Sequence, residues 1–84
     1  MYAVSMNLNR VIEVLKATEN LTCIEVSDSS VTIPGIGVDI EQIEGGYVLT
    51  EYTQDENGEY YTNQEMLVLA DLIEWIEWFD GLFD

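Results

Sequence analysis

The spacing of apolar residues changes period twice along this chain, and that change constrains the fold more than any other feature. Leu8, Val11, Ile12 and Leu15 recur at three- and four-residue intervals, which puts them on one face of a helix with Asn9, Arg10, Glu13 and Lys16 opposite. The pattern predicts a short amphipathic helix from Ser5 or Asn7 to Glu19, ended by Asn20, in which Glu13 and Lys16 can pair one turn apart. The period then falls to two. Leu21 to Val26 reads as a first strand, Ser27-Asp28-Ser29-Ser30 as a turn, and Val31 to Ile33 as a short second strand stopped by Pro34-Gly35. From Ile36 onward, Ile36, Val38 and Ile40 alternate with Gly37, Asp39 and Glu41, the pattern of a half-buried strand.

Gly45-Gly46 reverses the chain, and Tyr47 to Thr53 returns as a strand rich in aromatic and β-branched residues. Side-chain patterning favours a three-residue loop, Glu44-Gly45-Gly46, which sets Ile43 opposite Tyr47 and Asp39 opposite Glu51. Val38, Ile40, Val48 and Tyr52 then share one face, and Asp39, Glu41 and Glu51 the other. Asn57-Gly58 signals a type I′ hairpin joining Tyr52 to Glu56 with Glu59 to Thr62. Thr62-Asn63-Gln64-Glu65 matches a capping box that would open a last helix, which Gly81 would close. The order helix, strands, helix predicts an α+β fold, an antiparallel sheet of three to five short strands with both helices packed on one face. Eighty-four residues suffice for one such domain, spanning 1–84, and for one core.

Laid out at ~100° per residue, Met66, Val68, Leu69, Leu72, Ile73, Trp75, Ile76 and Phe79 make the core face of that last helix. Trp78 falls outside it, between Leu67, Asp71 and Glu74. Trp75 is therefore expected to anchor the core. For Trp78 two readings stand: the tail Leu82-Phe83 folds back over it, or it is an exposed anchor rimmed by Asp71, Glu74 and Glu77, the composition of a binding hot spot.

Seventeen acids against one Arg and one Lys give a net charge of −15, while 48% hydrophobic content argues for a folded chain. The charge excludes partners. Nucleic acid is bound through Lys and Arg that neutralise phosphates, and only Arg10 and Lys16 are present, so direct binding to nucleic acid or to an anionic membrane surface is disfavoured. A basic partner is favoured. Cys23 is alone, no basic-then-apolar leader opens the chain, and no apolar run approaches the ~20 residues of a membrane span, which together point to the cytoplasm.

On the expected sheet face, residues two apart on a strand lie ~6.5–7 Å apart and neighbouring strands ~4.8 Å apart. Asp39, Glu41 and Glu51 would form a dense acidic patch, extended by Glu44, Asp55 and Glu59, with no Lys mixed in. The pattern resembles the small acidic DNA-mimic inhibitors of phages and mobile elements, namely anti-CRISPR proteins, anti-restriction proteins and uracil-DNA glycosylase inhibitors. "NLNRVIEV" leading to "LTCIEVSDSS" is similar to the helix and acid-and-serine strand of the glycosylase inhibitors, with Glu25, Ser27, Asp28 and Ser29 the nearest counterparts of their groove-entering edge. "EGGYVLTEYTQDENGEYY" within a helix, strands, helix order is similar to some small anti-CRISPR proteins. The resemblance implies a basic nucleic-acid-binding protein as partner, its DNA or RNA channel occupied by the acidic face. A second expectation, from a different class, is a homodimer or structural oligomer that buries Trp78, Leu82 and Phe83 against a copy of itself.

Catalysis is not expected. The chain has no His, and Cys23 has no imidazole partner. No metal or cofactor is expected either: counted as a calcium loop from Asp55, the chain puts Tyr60 where Gly is needed and Met66 where Glu is needed. Cys23 itself reads as a buried strand residue or a thiol on a strand edge.

Overall fold

The computed structural model describes residues 2–83, with side chains from Leu8 onward. Its elements are α1 (Tyr2–Lys16), β1 (Glu25–Val26), β2 (Ser30–Ile33), β3 (Val38–Ile43), β4 (Gly46–Gln54), β5 (Tyr60–Leu67) and α2 (Leu69–Gly81). The fold is α+β. The strands form one open antiparallel sheet in the order β1-β2-β3-β4-β5, a meander in which each strand pairs with its neighbour in sequence.

Alternation places Val31 and Ile33 of β2, Val38 and Ile40 of β3, and Tyr47 and Leu49 of β4 on the same face. They are buried against Leu8, Val11 and Leu15 of α1 and Leu72 and Ile76 of α2, with Leu21 closing the end of the same core. Both helices therefore cover one face, and the other is uncovered. The groove between them is lined by Arg10, Val14 and Thr18 on the α1 side and by Ile73, Glu77 and Asp80 of α2. At their C-terminal ends the Asp80 carboxylate accepts the N–H groups of Asn20 at 2.8 Å and Glu19 at 3.3 Å, and the Asn20 side-chain amide donates to the Asp80 carbonyl at 3.1 Å. No helix among the described residues is long and apolar enough to cross a membrane.

Several local expectations are corrected. The first helix ends at Lys16 rather than Glu19, and its ion pair joins Arg10 to Glu13 at 3.5 Å rather than Glu13 to Lys16. The first strand is two residues long, so Cys23 lies in the irregular segment before it and is exposed. The β3–β4 connection is the two-residue Glu44-Gly45, with Ile43 opposite Gly46, Ile40 opposite Leu49 and Val38 opposite Glu51. This register sets Ile40 against Leu49 on the covered face and turns Val48 and Tyr52, expected beside Val38 and Ile40, to the uncovered one; Gly46 fits it because a Cβ there would come within 2.8 Å of the Leu67 carbonyl oxygen.

The hairpin at Asn57-Gly58 is not type I′, which would need positive φ at both residues; only Gly58 has it, at 84°. Instead the Gly58 N–H donates to the Asp55 carbonyl and the Asp55 N–H to the Glu59 carbonyl, a three-residue loop with the glycine in the left-handed position. Beyond it the chain stays extended. Residues 60–67 pair along the whole of β4, so the expected capping box at Thr62 is strand, and the helix starts at Leu69 behind Val68, which makes no side-chain cap. Met66 and Val68, expected in the core, are exposed as a consequence.

Candidate functional site

The residues singled out in the sequence fall into separate regions rather than one acidic face. Asp39 and Glu41 do point to the uncovered face. Asp39 sits in a row that crosses all five strands, Glu25, Thr32, Asp39, Thr50 and Gln64. Thr32 donates to its carboxylate at 2.8 Å, and Gln64 donates to the Thr50 hydroxyl at 3.2 Å. The rest of that face on β4 and β5 is Val48, Tyr52, Gln54, Tyr60, Thr62 and Met66, which is neutral. Glu51 turns the other way, half-buried on the helix side opposite Val38 and Asn63, because the shorter loop shifts β4 by one residue. The expected patch of Asp39, Glu41 and Glu51 is thus split.

Glu44 is exposed in the β3–β4 turn, while Asp55 and Glu59 stand at the opposite end of β4, at the tip of the β4–β5 hairpin. The Asp55 carboxylate accepts the N–H groups of Asn57 and Glu59, each at 2.9 Å, and so shapes the turn. Past Glu51 the hairpin has no β3 residue beside it, only Gly37 of the β2–β3 turn, whose carbonyl accepts the Tyr52 N–H at 2.8 Å. From Thr53 to Tyr61 it overhangs the sheet.

The third region is a real convergence. Asp71, Glu74 and Trp78 of α2 line an open hollow of about 380 Å³ together with Trp75 and with Glu65 and Leu67 of β5. Helical spacing explains it: Asp71, Glu74, Trp75 and Trp78 occupy the flank of α2 away from α1, while Ile73, Glu77 and Asp80 face α1. Trp75 is half-buried and stacks on Phe79, ring centroids 4.7 Å apart. Phe83 meets Phe79 edge-on at 5.4 Å, so the tail covers Phe79 and leaves Trp78 60% exposed. Glu77, expected on the rim, lies on the other side of the helix. The Thr62–Glu65 capping-box match hides Glu65 as a site residue; the β-prone pair Tyr60-Tyr61 before it is the signal for a strand.

Of the sixteen acids among the described residues, thirteen are exposed, three (Asp39, Glu51 and Asp80) are half-buried and none is buried. Their only ion pair among the described residues is Arg10–Glu13, long and exposed. Glu25, Asp28 and Ser29 are exposed at the β1–β2 turn, at the far edge of the sheet from the hollow, and the hydroxyls of Ser27 and Ser30 bond each other at 2.6 Å. At the β3–β4 end, the Tyr47 side chain is 2% exposed and its hydroxyl has no partner among the described residues, as is true of the Gln42 side-chain oxygen beside it. Burial pushes the Tyr47 phenol above its usual value of 10. Comparison with known protein families, with characterised proteins and with solved structures finds no match.

Proposed function

We propose that this protein is an acidic inhibitor that binds a basic nucleic-acid-binding protein and blocks its access to DNA or RNA, as anti-CRISPR and anti-restriction proteins do, in the cytoplasm of a host cell. The observation that carries the reading is the unneutralised charge: sixteen described carboxylates, none buried, with one exposed ion pair among them. Such a surface raises the local concentration of a cationic partner and speeds its association, an effect that weakens with salt. The exposed Trp78 in its carboxylate-lined hollow supplies a side chain whose desolvation can hold the complex once formed. The β4–β5 part of the uncovered sheet face is neutral, which moves the centre of the expected contact from Asp39 and Glu41 to Glu65, Asp71 and Glu74. The acid-and-serine stretch from Glu25 to Ser29 keeps the uracil-DNA glycosylase inhibitor reading as the narrower alternative.

The test is capture of proteins from host lysate on the immobilised chain, followed by association kinetics with the captured protein and a nucleic-acid competition assay. The proposal expects an on-rate that falls at least tenfold between low and high salt, and loss of capture when Glu65, Asp71 and Glu74 are changed to Lys. A captured protein that still binds its nucleic acid normally in the complex would refute the inhibitor reading.

One observation favours a second reading: Trp78 and Leu82, one turn apart, are both exposed beside Phe83. A self-associating protein would bury them against a second copy. Light scattering that returns a monomer at high concentration would dispose of it.

A further inference from the structure

β5 ends the sheet, pairs only with β4, and is exposed from Tyr60 to Met66. Its outer backbone groups can be assigned. Tyr52 donates its N–H to Gly37, away from β5, so in the antiparallel alternation its opposite residue Thr62 turns its own N–H and C=O outward, as do Gln64 and Met66. Natural edge strands are usually blunted by charged side chains, Lys above all, by Pro, a bulge or a covering element; the stretch "YYTNQEM" carries no Lys, Pro or bulge, and its one charge is Glu65 on the helix side.

The hollow of Glu65, Asp71, Glu74 and Trp78 opens along this same edge, on the helix side, because those α2 residues face away from α1. It is lined by three carboxylates, two indoles and one Leu, with no cation. A guanidinium or ammonium group there would meet opposite charge and the face of an exposed Trp at once. On the uncovered side of β5 the neighbours Thr62, Gln64 and Met66 are neutral. An added strand would therefore meet charge on one of its faces and none on the other.

We infer that the basic partner docks by adding an extended segment to the free edge of β5 as a sixth strand, with Arg or Lys at alternate positions laid into the hollow against Trp78. The inference rests on the reading of a basic partner and adds where and in what conformation it is held. Main-chain hydrogen bonds to Thr62, Gln64 and Met66 supply register, and the hollow selects cations at a spacing of two residues.

Three short peptides test it on the full chain: an alternating Arg–Thr sequence, the same sequence N-methylated at every Thr, and the same sequence N-methylated at every Arg. All carry the same charge. In an antiparallel sixth strand the neutral residues lie opposite Thr62 and Gln64 and bond them, so methylated Thr should weaken binding at least tenfold while methylated Arg is tolerated; a parallel strand reverses the two. Bound parent peptide should also slow hydrogen exchange of the Thr62 and Gln64 amides. Equal affinity for all three, with no slowing at those amides, would overturn edge docking while leaving capture of basic partners intact. Failure of every peptide to bind at low salt would overturn both.

Discussion

At the scale of single residues, three side chains define what burial does here. Leu72 is fully buried, and Leu72→Ala should cost about 2–5 kcal/mol in a urea unfolding curve, the range for a cavity left in a packed core. Trp78 is the opposite case: Trp78→Ala should change stability by less than about 1 kcal/mol while weakening binding of the basic partner at least tenfold. Tyr47 is buried with its hydroxyl unpartnered among the described residues, and its phenol is raised by desolvation. Its unfolded form loses the proton near pH 10 while the folded form keeps it, so stability is complete below that pH and declines as pH rises through the folded value. Tyr47→Phe should remove part of that alkaline decline, measured as Tm against pH, since it deletes the group whose ionisation burial opposes.

At the scale of elements, the β4–β5 hairpin is held in register by its turn, and there Asp55 is structural. Asp55→Ala removes the acceptor for two backbone N–H groups and should destabilise the hairpin by about 1–2 kcal/mol, seen as faster amide exchange in residues 53–61, with partner affinity nearly unchanged. This same hairpin marks the limit of what was legible in the sequence. Periodicity identified both helices, the strands around Val31, Ile40 and Leu49, and the covering of one sheet face, because those patterns reflect burial, although on β4 it turned Val48 and Tyr52 rather than Tyr47 and Leu49 to the core. Past Gly58 burial no longer imposes a pattern: β5 is exposed on both faces, so a chance Thr-x-x-Glu match outweighed the β-preference of Tyr60 and Tyr61. The site was legible in part for the same reason. Asp71, Glu74 and Trp78 share a helix flank that spacing reveals, whereas Glu65 joins them only through pairing with β4, and Glu51 left the acidic patch through a one-residue difference in turn length.

At the scale of the whole molecule, a net charge of −15 on 84 residues works against compaction, and salt should relieve it. Raising NaCl from low to near-molar concentration should therefore increase Tm by several degrees in a thermal melt even as it slows partner association; an unchanged Tm would mean that the exposed carboxylates scarcely interact. The meander has a different consequence, for the order of assembly. Every strand bonds its neighbour in sequence, so the sheet can form hairpin by hairpin with little loop entropy to overcome. The clasp from Asp80 to Glu19 and Asn20, by contrast, joins positions sixty and more apart. The meeting of α1 with α2 should then come late in folding, and until it does the face bearing Ile33, Ile40 and Leu49 lacks part of its cover. Half-assembled chains are the species most prone to stick together, and their mutual repulsion keeps them apart while they wait.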